Sequence, residues 1–68
     1  MKHIFANSTS LNYAEYDAID KILTVTFNNG SSYRYADVPK EVYQELIEAK
    51  SAGKFFQQYI KAQYKVIE

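Results

Sequence analysis

The chain has 68 residues, with eight basic and eight acidic side chains, one histidine and no cysteine. This length allows one domain, 1–68. The lack of cysteine excludes disulfides and thiolate metal sites, and the balanced charge argues against a protein that coats nucleic acid or an anionic membrane non-specifically.

No run approaches the roughly 18 apolar residues of a membrane span. The opening Met-Lys-His lacks the apolar stretch of a signal peptide. A cytoplasmic protein of a bacterium or its phage, with no membrane partner, is expected. A chain this short buries only about 60% of its unfolded surface. Its core must come from bulky rings, and seven tyrosines and four phenylalanines supply them. A monomer or a small homo-oligomer would both suit so thin a margin.

Residues 9–17 mix polar and aromatic side chains and read weakly as a strand. Residues 21–27, KILTVTF, are β-branched and apolar, which suits a second strand. Asn28-Asn29-Gly30 is a turn, and residues 31–36, SSYRYA, return as a third strand. Pro39 opens a helix that should end near Lys50, with Val42, Tyr43, Leu46, Ile47 and Ala49 at helical spacing. Ser51 is a good N-cap for a second helix. Its apolar stripe is Ala52, Phe55, Phe56, Tyr59, Ile60 and Tyr64. The expected fold is α+β: a three-stranded antiparallel meander followed by two helices packed on one face, β-β-β-α-α.

The hairpin register decides which tyrosines are core. A two-residue turn at Asn29-Gly30 would put Tyr33 and Tyr35 on the face of Thr24 and Thr26. A three-residue loop with Gly30 left-handed pairs Phe27 with Ser31, Val25 with Tyr33 and Leu23 with Tyr35. Because a one-residue slip exchanges the faces, burial favours the second arrangement, which gathers the large apolar groups against the helices. Tyr13, Tyr16, Tyr43, Tyr59 and Phe5 read as core or core rim.

Several ordered motifs now line up: Tyr33-Arg34-Tyr35, Val38-Pro39, then Ala49, Ser51, Gly53, Phe55-Phe56 and Ile60. Upstream lie Ser8-Thr9, Leu11, Tyr16-Asp17 and Leu23-x-Val25-x-Phe27-x-x-Gly30. Together they resemble the KTSC family over about residues 8–64. Glu15 stands where that family commonly has glycine, and Ala14 where an aliphatic residue is usual. The resemblance implies a module like that at the C-terminus of some lysyl-tRNA synthetases, also found as free-standing bacterial and phage proteins. It implies no settled activity, and it suggests RNA binding by association.

Three candidate sites follow. Tyr33 and Tyr35 are either a stacking platform for unpaired bases or, as the chosen register favours, core. Ser51-Ala52-Gly53-Lys54 is either a tight helix–helix corner or a phosphate site. The second reading uses the free N–H groups of a helix start, a glycine that admits a ligand, and a lysine set against the dipole. Lys54, Gln58, Lys61 and Lys65 fall at i, i+4, i+7 and i+11, one stripe that is either a solvated face or a track for phosphates. Glu68 alone opposes the lysines of this segment. Arg34, on the outer sheet face, is a separate contact.

An enzyme is not expected. There is no cysteine nucleophile or histidine cluster, and Glu41 and Glu45 lie on an exposed helix face without a cleft to raise a pKa. No metal or cofactor is expected, since His3 has no second ligand in view. The leading expectation is a non-catalytic module binding RNA or another phosphate-bearing ligand through Ser51, Gly53 and Lys54, with Lys61 and Lys65 guiding the backbone. The alternatives are a protein-interaction or self-association module using the face of Ile22, Thr24 and Thr26 or an edge strand, and a pocket for a free nucleotide.

Overall fold

A computed structural model describes residues 1–67; Glu68, weighed above against the lysines, lies outside the described residues. The chain forms β1 (Lys2–Ile4), β2 (Leu11–Asp17), β3 (Ile22–Phe27), β4 (Ser32–Tyr35), α1 (Lys40–Glu48) and α2 (Ala52–Phe55), which runs directly into a π-helix, Phe56–Lys61. The strands make one antiparallel sheet in the order β1-β2-β3-β4. Four strands thus replace the three expected. The addition, β1, pairs Lys2 with Glu15, His3 with Ala14 and Ile4 with Tyr13. Its three residues are too few to show an alternating pattern. Mutual bonds to β2 hold it: the Met1 ammonium donates to the Tyr16 carbonyl at 3.1 Å, and the Tyr16 N–H donates to the Met1 carbonyl at 2.8 Å.

β2 starts at Leu11 rather than residue 9. The Ser8 hydroxyl accepts from the Ser10 and Leu11 N–H groups, at 3.2 and 2.9 Å, which bends the preceding residues into a turn. The pairing with β3 then slips between Leu11 and Tyr13. This bulge lets Leu11 and Ala14, an odd number of residues apart, both face the core, where both are fully buried.

The hairpin adopts the three-residue loop. Phe27 N–H donates to Ser31 at 2.8 Å and Gly30 N–H to Phe27 at 3.0 Å, with Gly30 at φ +94°. Leu23 pairs with Tyr35 and Val25 with Tyr33, as expected. The core face therefore carries Leu23, Val25 and Tyr35 with Ala14 and Tyr16. Tyr43 and Leu46 of α1 cover it, together with Ala52, Phe56 and Ile60 from the second helical segment. Two rings organise this contact. Tyr16 stacks on Tyr43 at 5.2 Å and its hydroxyl donates to the buried Val38 carbonyl at 2.6 Å. Phe56 stands edge-on to Phe27 at 5.3 Å and to Tyr35 at 5.6 Å. Val38 also donates to the Lys21 carbonyl at 2.9 Å, which ties the entry of α1 to the β2–β3 turn.

Pro39 occupies the N-cap of α1, one position before the helix proper. Ser51 caps α2, accepting the Lys54 N–H at 3.3 Å. The expected second helix is α-helical only to Phe55 and ends at Lys61. In an α-helix four residues overshoot one turn by about 40°; the wider π-turn offsets that drift. Ala52, Phe56 and Ile60 consequently all meet the sheet. Tyr59 was expected with them but is 49% exposed, leaning on Phe55 at 5.0 Å. Tyr13 lies on the uncovered sheet face, where the Lys2 ammonium sits 4.4 Å from its ring. Beyond the helix the chain returns along β4: Ala36 N–H donates to Lys65 at 3.2 Å, Ile67 N–H to Arg34 at 2.7 Å, and Tyr35 bridges Val66. No helix among the described residues is long and apolar enough to cross a membrane.

Two stability measurements test this core. Tyr16→Phe strands the buried Val38 carbonyl and should cost about 1–3 kcal/mol in urea unfolding; an unchanged midpoint would remove the clamp from the account. Burial raises the pKa of Tyr16, with Glu41 and Asp17 adding to it, and burial likewise raises Tyr35 and Tyr43. The unfolded chain, titrating near pH 10, therefore loses its phenolic protons first. Stability should be fully present below about pH 10 and fall as pH rises through it, read as a declining melting temperature in an alkaline series.

Candidate functional site

A cleft of about 480 Å³ opens between the tip of the β3–β4 hairpin and the π-helix. Phe27, Tyr35 and Phe56 line its depth, Tyr33, Tyr64 and Val66 its sides, and Asn29, Ser31, Gln57 and Lys61 complete it. Its shape follows from the register. Tyr33 and Tyr35 share the core face of β4, but the helices cover only Tyr35, which is 4% exposed. Tyr33, nearer the hairpin tip, is 43% exposed, its ring edge-on to Phe27 at 5.8 Å. The Tyr-x-Tyr pair is thus divided: Tyr35 is core and Tyr33 an open aromatic surface. The Tyr35 pKa is raised by burial and then by neighbouring Tyr33. Lys61 closes the π-helix beside these rings. Among the described residues no carboxylate lines the cleft.

The remaining residues expected to bind phosphate do not converge here. Ser51 and Gly53 line a second cavity of about 350 Å³ with Lys50 and the residues of the β1–β2 loop. The space above Gly53 is already taken: a Cβ there would lie 2.7 Å from the Ser10 hydroxyl. Glycine at this position accommodates the β1–β2 loop. Lys54 lines neither cavity. Lys65 lies past the helix end, with its carbonyl bonded to Ala36, so the expected Lys54–Gln58–Lys61–Lys65 stripe loses its last member. Arg34 pairs across from Thr24 on the outer sheet face and lines a third cavity, about 610 Å³, together with Glu15, Asp17 and Asp20. The fold thus brings Lys61 together with Tyr33 and Tyr35, and separates both from Ser51, Gly53 and Arg34.

Asn29, Gln57 and Tyr64 were not expected in a site. Asn29 carried only a turn signal. Tyr64 carried a fourfold spacing from Phe56 and Ile60 that marks the same helix side, but nothing local shows that the helix stops before it. Among the described residues no group of three or more His, Cys, Asp or Glu is placed to hold a metal ion.

Gly53→Ala tests the packing role of the corner. Alanine favours the helix by about 1 kcal/mol, and displacing the Ser10 hydroxyl opposes that gain. In a Ser10→Ala background the substitution should be more favourable than in wild type by roughly 0.5–1 kcal/mol, as measured in a double-mutant cycle. Additive effects would show that the contact is unimportant.

Comparison with known proteins covers nearly the whole chain. A profile of the KTSC domain matches residues 7–64. A protein of Stutzerimonas stutzeri strain A1501 is 45% identical over 64 residues, spanning 94% of this chain and 90% of that protein. The lysine–tRNA ligase of Nostoc sp. strain PCC 7120 is 42% identical over 50 residues, which are 74% of this chain but 9% of the ligase. The crystal structure of a KTSC domain protein from Yersinia pestis superposes with a TM-score of 0.89 at 26% identity, covering 97% of this chain and 92% of that one. On the extent of the profile match and of its full-length relative, the chain belongs to the KTSC domain family.

Proposed function

We propose that this protein is a non-catalytic RNA-binding module that holds an unpaired base in the Tyr33–Lys61 cleft. One observation carries the reading: a half-exposed tyrosine and a lysine share an aromatic cleft that, among the described residues, no carboxylate lines. A flat exposed ring gives a base a stacking surface, worth about 1–3 kcal/mol. A lysine beside it attracts the phosphate that follows the base. The relationship to a segment of lysine–tRNA ligases, enzymes whose substrate is an RNA, supports the same reading.

In this proposal the Ser51–Gly53–Lys54 corner, Lys65 and Arg34 are outlying contacts to the sugar–phosphate backbone. Ser51 is engaged as a cap and Gly53 is packed against Ser10, which makes that corner the weaker part. The competing reading is self-association through the uncovered sheet face, favoured by Ile4, which is 65% exposed beside Tyr13.

Fluorescence anisotropy with a labelled single-stranded RNA tests the proposal. Tyr33→Ala should weaken binding by roughly five- to a hundredfold. Lys61→Ala should weaken it more than Lys54→Ala does and lower the salt slope by about one. Absence of binding at low salt, or indifference to both Tyr33 and Lys61, would sink the reading. Concentration-dependent mass in sedimentation, abolished by Ile4→Glu, would favour self-association instead.

A further inference from the structure

The β3–β4 loop holds a reactive pair of residues. Asn29 is followed by Gly30, whereas Asn7, Asn12 and Asn28 precede Ser8, Tyr13 and Asn29. A backbone nitrogen can attack the side-chain amide carbon of the asparagine before it, closing a five-membered ring. A glycine nitrogen does so most readily, since no side chain blocks the approach and the backbone turns freely. Asn29 and Gly30 are both exposed, and nothing lies within 4 Å of where a Gly30 Cβ would stand. In the folded loop both reacting groups are nevertheless tied down. The Gly30 N–H donates to the Phe27 carbonyl at 3.0 Å, and the Asn29 Oδ1 accepts the Ser31 N–H at 2.9 Å. The nitrogen can attack only after losing its proton, and that proton lies in the bond to Phe27. Reaction therefore waits for the loop to open.

We infer that Asn29 is a latent modification site, released by opening of the β3–β4 loop, at which the side-chain amide becomes a carboxylate. The Gly30 nitrogen gives up its proton and bonds to Asn29 Cγ. The Cγ–Nδ2 bond breaks, ammonia leaves and a succinimide remains. Water then opens the ring. Cleavage at Cγ gives aspartate on the original backbone. Cleavage at the main-chain carbonyl gives isoaspartate, whose backbone runs through Cβ and Cγ and so lengthens the loop. The sum is amide plus water to acid plus ammonia, which needs no oxidant or reductant. Loop tips open locally without global unfolding, which gives the folded protein a slow route to the same products. Asn29 lines the cleft together with Lys61, where no described residue contributes a carboxylate. Either product adds a negative charge that repels phosphate and competes with it for Lys61. This consequence rests on the RNA-binding reading; the modification itself does not.

The test incubates the full chain in mildly alkaline buffer, folded or unfolded in guanidinium chloride, and samples it over days. Peptide mass spectrometry locates each new acid, and enzymatic isoaspartyl methylation counts the product with the longer backbone. In the unfolded chain Asn29 should convert before Asn7, Asn12 and Asn28. In the folded protein its conversion should be roughly five- to a hundredfold slower, because two hydrogen bonds must open first. Asn29→Gln, which would need a larger ring, should yield no acid at this position on the same timescale. Failure of Asn29 to convert first when unfolded overturns the inference, as do equal rates in the two states or undiminished conversion in Asn29→Gln. Asn29→Asp supplies one product directly and should weaken binding of a labelled single-stranded RNA roughly two- to fivefold. Unchanged affinity there overturns the effect on the cleft. If neither wild type nor Asn29→Asp binds RNA, the RNA-binding reading fails, and the mass measurement still decides the modification.

Discussion

The three-residue loop at Asn28-Asn29-Gly30 sets the register on which the rest of the molecule depends. With Gly30 at φ +94°, Phe27 pairs with Ser31 and every later residue of β4 is assigned a face. Side chains on a strand alternate, so a slip of one residue would send Tyr33 and Tyr35 to the uncovered face and expose Arg34 and Ser32 to the helices. In the observed register Leu23, Val25, Phe27 and Tyr35 make one apolar surface, and Phe56 has rings on which to seat. The helices follow from that surface, since neither α1, at nine residues, nor α2 has enough length to be stable alone.

The cleft is the part of this apolar face that the helices do not reach. Tyr33 and Tyr35 have the same chemistry and the same orientation, two residues apart. They differ because the second helical segment passes over Tyr35 and leaves Tyr33 open. The π-turn contributes by keeping Phe56 and Ile60 on the sheet while bringing Lys61 to the cleft edge. The returning C-terminal segment completes the wall with Tyr64 and Val66 and pairs with the edge of β4. That pairing also covers an otherwise open row of backbone donors and acceptors.

Electrostatics divides the surface in a way that the neutral net charge hides. The cleft, which no acidic side chain among the described residues lines, lies on the helix-covered face near the hairpin tip. Arg34, which looks equally suited to phosphate in the sequence, lines a cavity with Glu15, Asp17 and Asp20. Basic residues that stand close in the chain are likewise dispersed: Lys54 near the cap, Lys61 in the cleft and Lys65 on the strand-like return. Residues of one helix face can act together only while the helix continues, and here it ends at Lys61.

Much of the fold was legible in the sequence, because its signals are local. Alternation in KILTVTF, the Asn-Asn-Gly turn, the helical spacing through Tyr43 and Leu46, and the Ser51 cap each depend on a few neighbouring residues. The face assignment was legible too, since burying the large apolar groups together allows only one register. The fourth strand was not, because three residues carry no period. Nor was the site. Whether Tyr33 is covered, where the second helix stops, which side of Gly53 is occupied and which acids surround Arg34 depend on residues far apart in the chain. These were decided only when the helices packed on the sheet, because coverage and local charge belong to the assembled surface.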